Sequence, residues 1–336
     1  MKEPVGSGRL DKVLRIPKVS ICIPTYSRHE YLKEAISSAI SQGYSAAEIL
    51  VSDDGCDPAI ADVAARFAHK DPRVRYWRNK TNLGLAGNWN KCIDEARGDY
   101  LIIIGDDDRL LPHGVSDLVA AGSEDVVFGS HFLIDAQGNR LEERSRANNE
   151  SYGRSCLKTG LLENAESAVW NNSIPMCGTI IRAALAKQFR FKEDTNTPEL
   201  ILFAELAASG ATFRYESTPV SEYRVHDQSA TSSGLWNHRL VKYLLAIPVS
   251  LQAEPKKRLL LREVLVNAVN GCLVEGNIQQ ARELANCGYY PSDVSNLKVA
   301  FQRACLSLPP KAGLLLFRLL INFKKRFETR LRLRTH

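Results

Sequence analysis

The sequence has no run of about 18 uninterrupted apolar residues, the length a helix needs to cross a bilayer. Residues 1–18, MKEPVGSGRLDKVLRIPK, also lack the apolar core of a secretory signal. Both absences predict a protein that is neither integral to a membrane nor exported by that route. The eight cysteines are scattered without a CxxC pair, several of them inside apolar runs. That pattern predicts reduced thiols in a cytosolic protein and excludes a disulfide framework or a zinc site. No internal repeat or low-complexity tract occurs, and neither G-x-G-x-x-G nor a Walker motif is present, which argues against a dinucleotide site or a P-loop. Excess positive charge is missing from most of the chain. The net charge is +6, yet residues 311–336 alone carry eight Lys or Arg against one Glu, so the basic character belongs to the tail. What the chain does have is length and apolar content: 336 residues at 44% hydrophobic bury a substantial core, as one large domain with an appendage or as two domains.

From Val19 short apolar strands alternate with amphipathic helices. VSICI is followed by EYLKEAISSAISQ, with Leu32, Ala35, Ile36, Ala39 and Ile40 at helical spacing, and then by EILVS. PAIADVAARFA, VRYW, NWNKCIDEA and YLIII continue the alternation. This β-α-β-α-β-α-β order predicts an α/β fold with a mostly parallel central sheet flanked by helices, whose ligands bind at the carboxyl ends of the strands. Three such ends carry the polar chemistry: PTYSRHE, DDGCD and GDDDRLLP. Between Val126 and Thr197 the pattern weakens, with a turn expected at DAQGNR and a polar loop near RANNESYGR. PELILFAELAASG reads as a helix and ATFRYES as a strand; from about Trp236 onward the segments read as consecutive helices.

Asp106, Asp107 and Asp108 follow a strand directly, so their repulsion must be relieved by protonation, solvent or a cation. Mg²⁺ and Mn²⁺ bind through one or two carboxylates plus the oxygens of a diphosphate, and such a complex suits this loop. The alternative is a solvated turn in which one aspartate caps the next element. Asp53 and Asp54 end a second strand on the same edge, where their carboxylates would hold a ribose diol or a base amide. Two converging acidic turns point to a nucleotide. Tyr26 offers an aromatic face for a base, or else packs as a half-buried loop tyrosine.

The ordered set VSICIPTYSRHEYLKEAISSAISQ, ILVSDDGCD and RYWRNKTNLGLAGNWNKCIDEARGDYLIIIGDDDRLLP resembles the nucleotide-sugar-binding half of family 2 glycosyltransferases with the GT-A fold. The resemblance covers about Val19 to Thr231. It implies a GT-A domain over residues 19–235, preceded by an extension at 1–18 and followed by a helical region at 236–336 that ends in the basic tail. It implies that Pro24, Thr25, Tyr26, Asp53 and Asp54 hold the nucleobase side of a donor. The family's Asp-x-Asp metal motif, aligned by the downstream Pro112, puts Gly105 at its first position and Asp107 at its last. Asp107 is then the metal ligand, Asp106 faces the ribose or sugar, and Asp108 is a further ligand or orients its neighbours.

Direct displacement at a sugar needs a general base at the acceptor hydroxyl and a Lewis acid on the leaving diphosphate. The resemblance puts the base at Glu199, where the family carries aspartate at the start of a helix, with Glu193 and Asp194 as substitutes. An acid in a first turn after proline also serves the helix dipole. Arg224 and His226 in YRVHDQSAT resemble the segment that closes over the diphosphate, the histidine completing the metal shell. In NLGLAGNWNKC, Asn82 and Gly84 shape a turn, Asn88 is a candidate cap and Trp89 a core anchor.

The tail, AGLLLFRLLINFKKRFETRLRLRTH, mixes Leu315, Phe317, Leu319, Leu320, Phe323 and Phe327 with basic residues, which suits a helix lying on an anionic membrane or one packed on the body. No companion motif supports nucleic-acid binding. The expectation is a Mn²⁺- or Mg²⁺-dependent inverting glycosyltransferase. It would use a nucleoside-diphosphate sugar and a glycan or lipid-linked glycan acceptor of bacterial surface polysaccharide, in the cytoplasm at the inner face of the cell membrane. A nucleotidyltransferase and a non-catalytic sugar-nucleotide-binding module are the alternatives.

Overall fold

The computed structural model describes residues 16–226, 238–293 and 296–332, with residues 322–332 as helix backbone. The chain opens with β1 (Val19–Thr25), α1 (His29–Ile40), β2 (Ala47–Asp53), α2 (Pro58–Lys70), β3 (Val74–Arg78), α3 (Gly84–Glu95) and β4 (Tyr100–Ile103). β5 (Arg109–Leu110), α4 (Gly114–Ala121), β6 (Val126–Ile134), α5 (Glu142–Ser151), β7 (Gly160–Leu161), α6 (Ala165–Trp170) and β8 (Thr179–Arg182) follow. Then come α7 (Ala183–Phe189), α8 (Pro198–Ala208) and β9 (Phe213–Arg224). The helices α9 (His238–Ala246), α10 (Glu254–Glu275), α11 (Ile278–Ala285), α12 (Leu297–Ser307) and α13 (Pro310–Arg332) complete it.

One sheet organises the strands in the order β3-β2-β1-β4-β8-β6-β9-β5, with β7 on β9. The block β1 to β4 is parallel, as expected from its crossover helices. Beyond β4 the sheet is mixed: β8 is antiparallel to β4 and β6, β9 runs parallel to β6, and β5 runs antiparallel to β9. Strand alternation sends successive residues to opposite faces. Ile21, Ile23, Ile49, Val51 and Ile102 pack with α1, α2 and α4 on one side. Cys22, Leu50, Leu101 and Ile103 pack on the other side with α3, α6 and α8. That second core continues without a break into α9, α10 and the later helices, through Leu240, Leu244, Leu261 and Phe317. The expected boundary at residue 235 lies outside the described residues.

The turn expected at DAQGNR is present, closed by a hydrogen bond from the Asp135 amide to Asn139 O. The polar loop expected near RANNESYGR is largely the helix α5. Its sequence has no apolar face, and Ser145 is its one buried residue. What holds it is polar. Ser145 Oγ accepts from the Leu133 amide and donates to Leu141 O, both at 2.8 Å, while the buried Arg154 donates to Asn148 and Asn149.

Candidate active site

The carboxyl ends of β1, β2 and β4 meet at one edge, and their loops touch. Thr25 Oγ1 donates to Asp106 Oδ2 at 2.7 Å, so the first loop reads the third directly. Gly55 makes the second loop fit: a Cβ there would lie 1.8 Å from Tyr26 O. The Asp54 amide also donates to Thr25 O.

Asp106 and Asp108 are buried, and Asp107 nearly so. Arg28 lies across the first two, with Nη1 2.5 Å from Asp107 Oδ2 and Nη2 2.6 Å from Asp106 Oδ1, the latter without hydrogen-bond alignment. Burial pushes the Asp106 carboxyl up to about 6 against the opposing charge of Arg28. Asp108 turns away from this rim. Its Oδ1 accepts from the Arg224 amide at 2.9 Å, and burial plus the neighbouring Asp107 charge push it up to about 8. Its carboxylate thus holds the β9 backbone at Arg224. Gly105 stands under the cluster, and a Cβ there would meet Asp107 Oδ1 at 2.5 Å and Asp108 Oδ2 at 3.0 Å. The aspartate of an Asp-x-Asp motif has no room at that position while its neighbours hold these rotamers.

His226 Nε2 lies 3.0 Å from Asp107 Oδ2. That is a hydrogen-bond contact; adjacent ligands of an octahedral ion at about 2.1 Å also sit about 3 Å apart, so the spacing is compatible with a divalent cation. No group of three His, Cys, Asp or Glu side chains gathers as a metal site among the described residues. A pair completed by substrate oxygens and water is the mode by which Mg²⁺ usually binds.

Several expected contacts fall elsewhere. Asp53 accepts from the Gly55 amide, Tyr76 Oη and Arg78 Nε at 2.7–2.9 Å, which leaves little of its carboxylate for a ligand. Asp54 accepts from Asn79 Nδ2 and from the amides of Leu83 and Gly84, tying down the start of α3. Apart from Gly55, their partners lie in β3, the loop after it and the first residue of α3, which the reading of strand ends alone did not include. Arg224, expected at the diphosphate, is fully buried. Its guanidinium donates to Asp107 O, Asp135 O, Ala136 O and Glu34, and it stacks on Tyr31. It fixes the backbone of the acidic motif. Pro24 is partly buried, whereas Tyr26 is 55% exposed. Arg28 and Glu34, neither singled out by the sequence reading, are the missing partners of this network; Arg28 sat inside the PTYSRHE loop already recognised.

Glu199 stands in the first turn of α8, directly after Pro198. Glu199 is half-buried and has no ion pair among the described residues. Burial pushes its carboxyl up to about 7. Its two substitutes are engaged: Glu193 accepts from Asn90 Nδ2 at 3.0 Å and Asp194 from Tyr243 Oη at 2.9 Å. Residues 227–231 of the YRVHDQSAT segment lie outside the described residues.

The family model for glycosyl transferase family 2 matches residues 20–187, half of the chain. The chain belongs to that family. It is therefore a glycosyltransferase, and the nucleotidyltransferase and silent-module alternatives fall away. A similar curated relative is GalNAc(5)-diNAcBac-PP-undecaprenol beta-1,3-glucosyltransferase of Campylobacter jejuni, 27% identical over 232 residues, 68% of this chain and 72% of that enzyme. An uncharacterised glycosyltransferase of Methanocaldococcus jannaschii is 32% identical over 142 residues, and the match spans 48% of its length. Among solved structures, S. aureus TarS 1–349 with UDP-GlcNAc superposes with a TM-score of 0.62 at 17% identity, covering 92% of each chain. The mannosyltransferase PcManGT of Pyrobaculum calidifontis, bound to GDP-Man and Mn²⁺, gives 0.55 at 16%, covering 90% and 86%. These likenesses agree with the GT-A fold expected from the sequence.

Proposed function

We propose that this glycosyltransferase moves a sugar from a nucleoside-diphosphate sugar to a hydroxyl of a lipid-linked glycan by single, inverting displacement. One observation carries the chemistry: a half-buried carboxyl, Glu199, in the first turn of α8 and held near neutrality by burial. A general base works best with a pKa near the operating pH. In this reading Glu199 takes the acceptor proton as the hydroxyl attacks. Tyr26, with Pro24 beside it, presents its ring to the nucleobase. Asp53 and Asp54 shape that pocket, and Asp106 meets the ribose or sugar. Asp107 and His226 hold Mn²⁺ or Mg²⁺, while Thr25, Asp108 and Arg224 fix the motif around them. A divalent ion bound there stabilises the charge of the departing nucleoside diphosphate.

The lipid-linked acceptor and a surface-polysaccharide role are supported by the Campylobacter relative, whose named substrate is carried on PP-undecaprenol. They are also supported by α13. Phe317 packs on Phe301, while Leu315, Leu319 and Leu320 stand exposed on a helix that also carries Lys311 and Arg318. Such a face suits an anionic membrane at its cytoplasmic side. No helix of the described residues is long and apolar enough to cross a membrane. The deciding experiment incubates the protein with a panel of nucleotide sugars, Mn²⁺ and polyprenyl-diphosphate glycans. Nucleoside diphosphate release coupled to glycan extension is expected in the parent and not in Glu199→Gln; extension by Glu199→Gln at the parent rate removes Glu199 from the mechanism.

A further inference from the structure

The rim of the site already carries a cation of its own. Arg28 bridges Asp106 and Asp107, and its Nη1 holds Asp107 Oδ2, the same oxygen that His226 Nε2 meets. A divalent ion at that oxygen competes with the guanidinium, because two cations within contact distance repel. Among the described residues Arg28 is the only Lys or Arg ion-paired with these two carboxylates. Arg224 contacts the same motif through the Asp107 carbonyl and leaves the carboxylate alone.

The position of Arg28 in the chain makes it movable. It is the residue before α1, its side chain makes no capping bond, and it is 26% exposed, whereas Asp106 beneath it is buried. Its backbone sits two residues from the exposed Tyr26 ring, where the proposed function places the donor. A guanidinium leaving Asp107 is thus at the donor's side already, and its planar fork matches diphosphate oxygens as well as it matches carboxylates.

We propose that Arg28 is an exchangeable counter-ion of the acidic motif: it neutralises Asp106 and Asp107 in the metal-free enzyme, is displaced from Asp107 by the divalent ion, and then binds the donor diphosphate. The proposal rests on the metal reading given above. It predicts effects of opposite sign on the two ligands. Removing Arg28 frees Asp107 and tightens metal binding, yet deprives the diphosphate of a cation and weakens nucleotide binding. A merely structural arginine would weaken both.

The test titrates full-length protein with Mn²⁺ alone, followed by the loss of the free-ion EPR signal, for the parent, Arg28→Gln, Arg28→Lys and Asp107→Asn. Circular dichroism melts verify folding. Binding of UDP and GDP in saturating Mn²⁺ is then measured by calorimetry. Arg28→Gln is expected to bind Mn²⁺ about tenfold more tightly than the parent, and the better-bound nucleotide about tenfold more weakly. Arg28→Lys, whose single ammonium cannot bridge both carboxylates, is expected between them, and it carries the test should the glutamine variant not fold. Unchanged or weaker Mn²⁺ binding in the arginine variants, with Asp107→Asn losing it, overturns the exchange and leaves the metal reading standing. Parent and Arg28→Gln binding Mn²⁺ no better than Asp107→Asn overturns both.

Discussion

Gly105→Ala should silence the enzyme while leaving it folded. The Gly105 backbone has no positive φ, so alanine is allowed there. Its methyl would lie 2.5 Å from Asp107 Oδ1 and 3.0 Å from Asp108 Oδ2, against the 3.4 Å at which ordinary contact begins. The Asp107 carboxylate must retreat by roughly 1 Å, and it can, because the colliding atoms are the ends of side chains. A misplacement of about 1 Å at a positioning group can cost about 10² in rate, equivalent to about 2.7 kcal/mol of barrier. The retreat disturbs no packed apolar surface, so the melting temperature should stay within about 2 °C of the parent. The assay is steady-state release of nucleoside diphosphate in Mn²⁺ from the donor that the panel identifies, beside a thermal melt. Parent-like kcat with a parent-like melt would show that the Asp107 rotamer is irrelevant to turnover.

Gly55→Ala collides with backbone instead, at Tyr26 O, so it should cost about 1–3 kcal/mol in urea unfolding and raise the donor KM; an unchanged midpoint would contradict the close approach of the two loops. Glu199 sits up near 7, so the base form grows as pH rises through that value. The rate should therefore fall below about pH 7, and Glu199→Gln should flatten that limb of the profile. Because the folded pKa lies above the ordinary 4.5, the fold binds the extra proton between about 4.5 and 7 and loses stability as pH rises across that window. Glu199→Gln should accordingly melt higher than the parent at pH 8, and equal melting there would deny the burial. Replacing Leu315 and Leu319 together with Glu should abolish sedimentation with anionic vesicles at low salt without changing the melt, since both leucines are exposed; retained binding would end the membrane reading.

Periodicity made β1 to β4 and α1 to α3 legible, because alternating or helically spaced apolar residues have few ways to be buried. It failed at α5, whose helix is tethered by Ser145 and Arg154 and not by an apolar face. At the site, strand-end carboxylates were correctly seen to converge, since loops following adjacent parallel strands must meet. Their individual tasks were not visible. Asp53 and Asp54 look ligand-facing from their own segment, and only the arrival of Tyr76, Arg78, Asn79 and the start of α3 occupies them. Arg224 was similarly read as reaching outward, but Glu34, on a helix almost the whole domain away in sequence, draws it inward. Charge pairs between distant segments leave no local period, so they are the part of a fold that one-dimensional reading loses first.

The apolar layer shared by α8 and the last five helices has a practical corollary for anyone dividing this enzyme. Severing the polypeptide between β9 and α9 would strip the Leu200–Phe203 surface of its cover and leave Leu240, Leu244 and Leu261 bare on the other fragment. Neither piece would be a tidy module. Chimaeras that exchange the carboxyl-terminal helices between relatives should therefore carry α8 along, and with it the glutamate at its first turn.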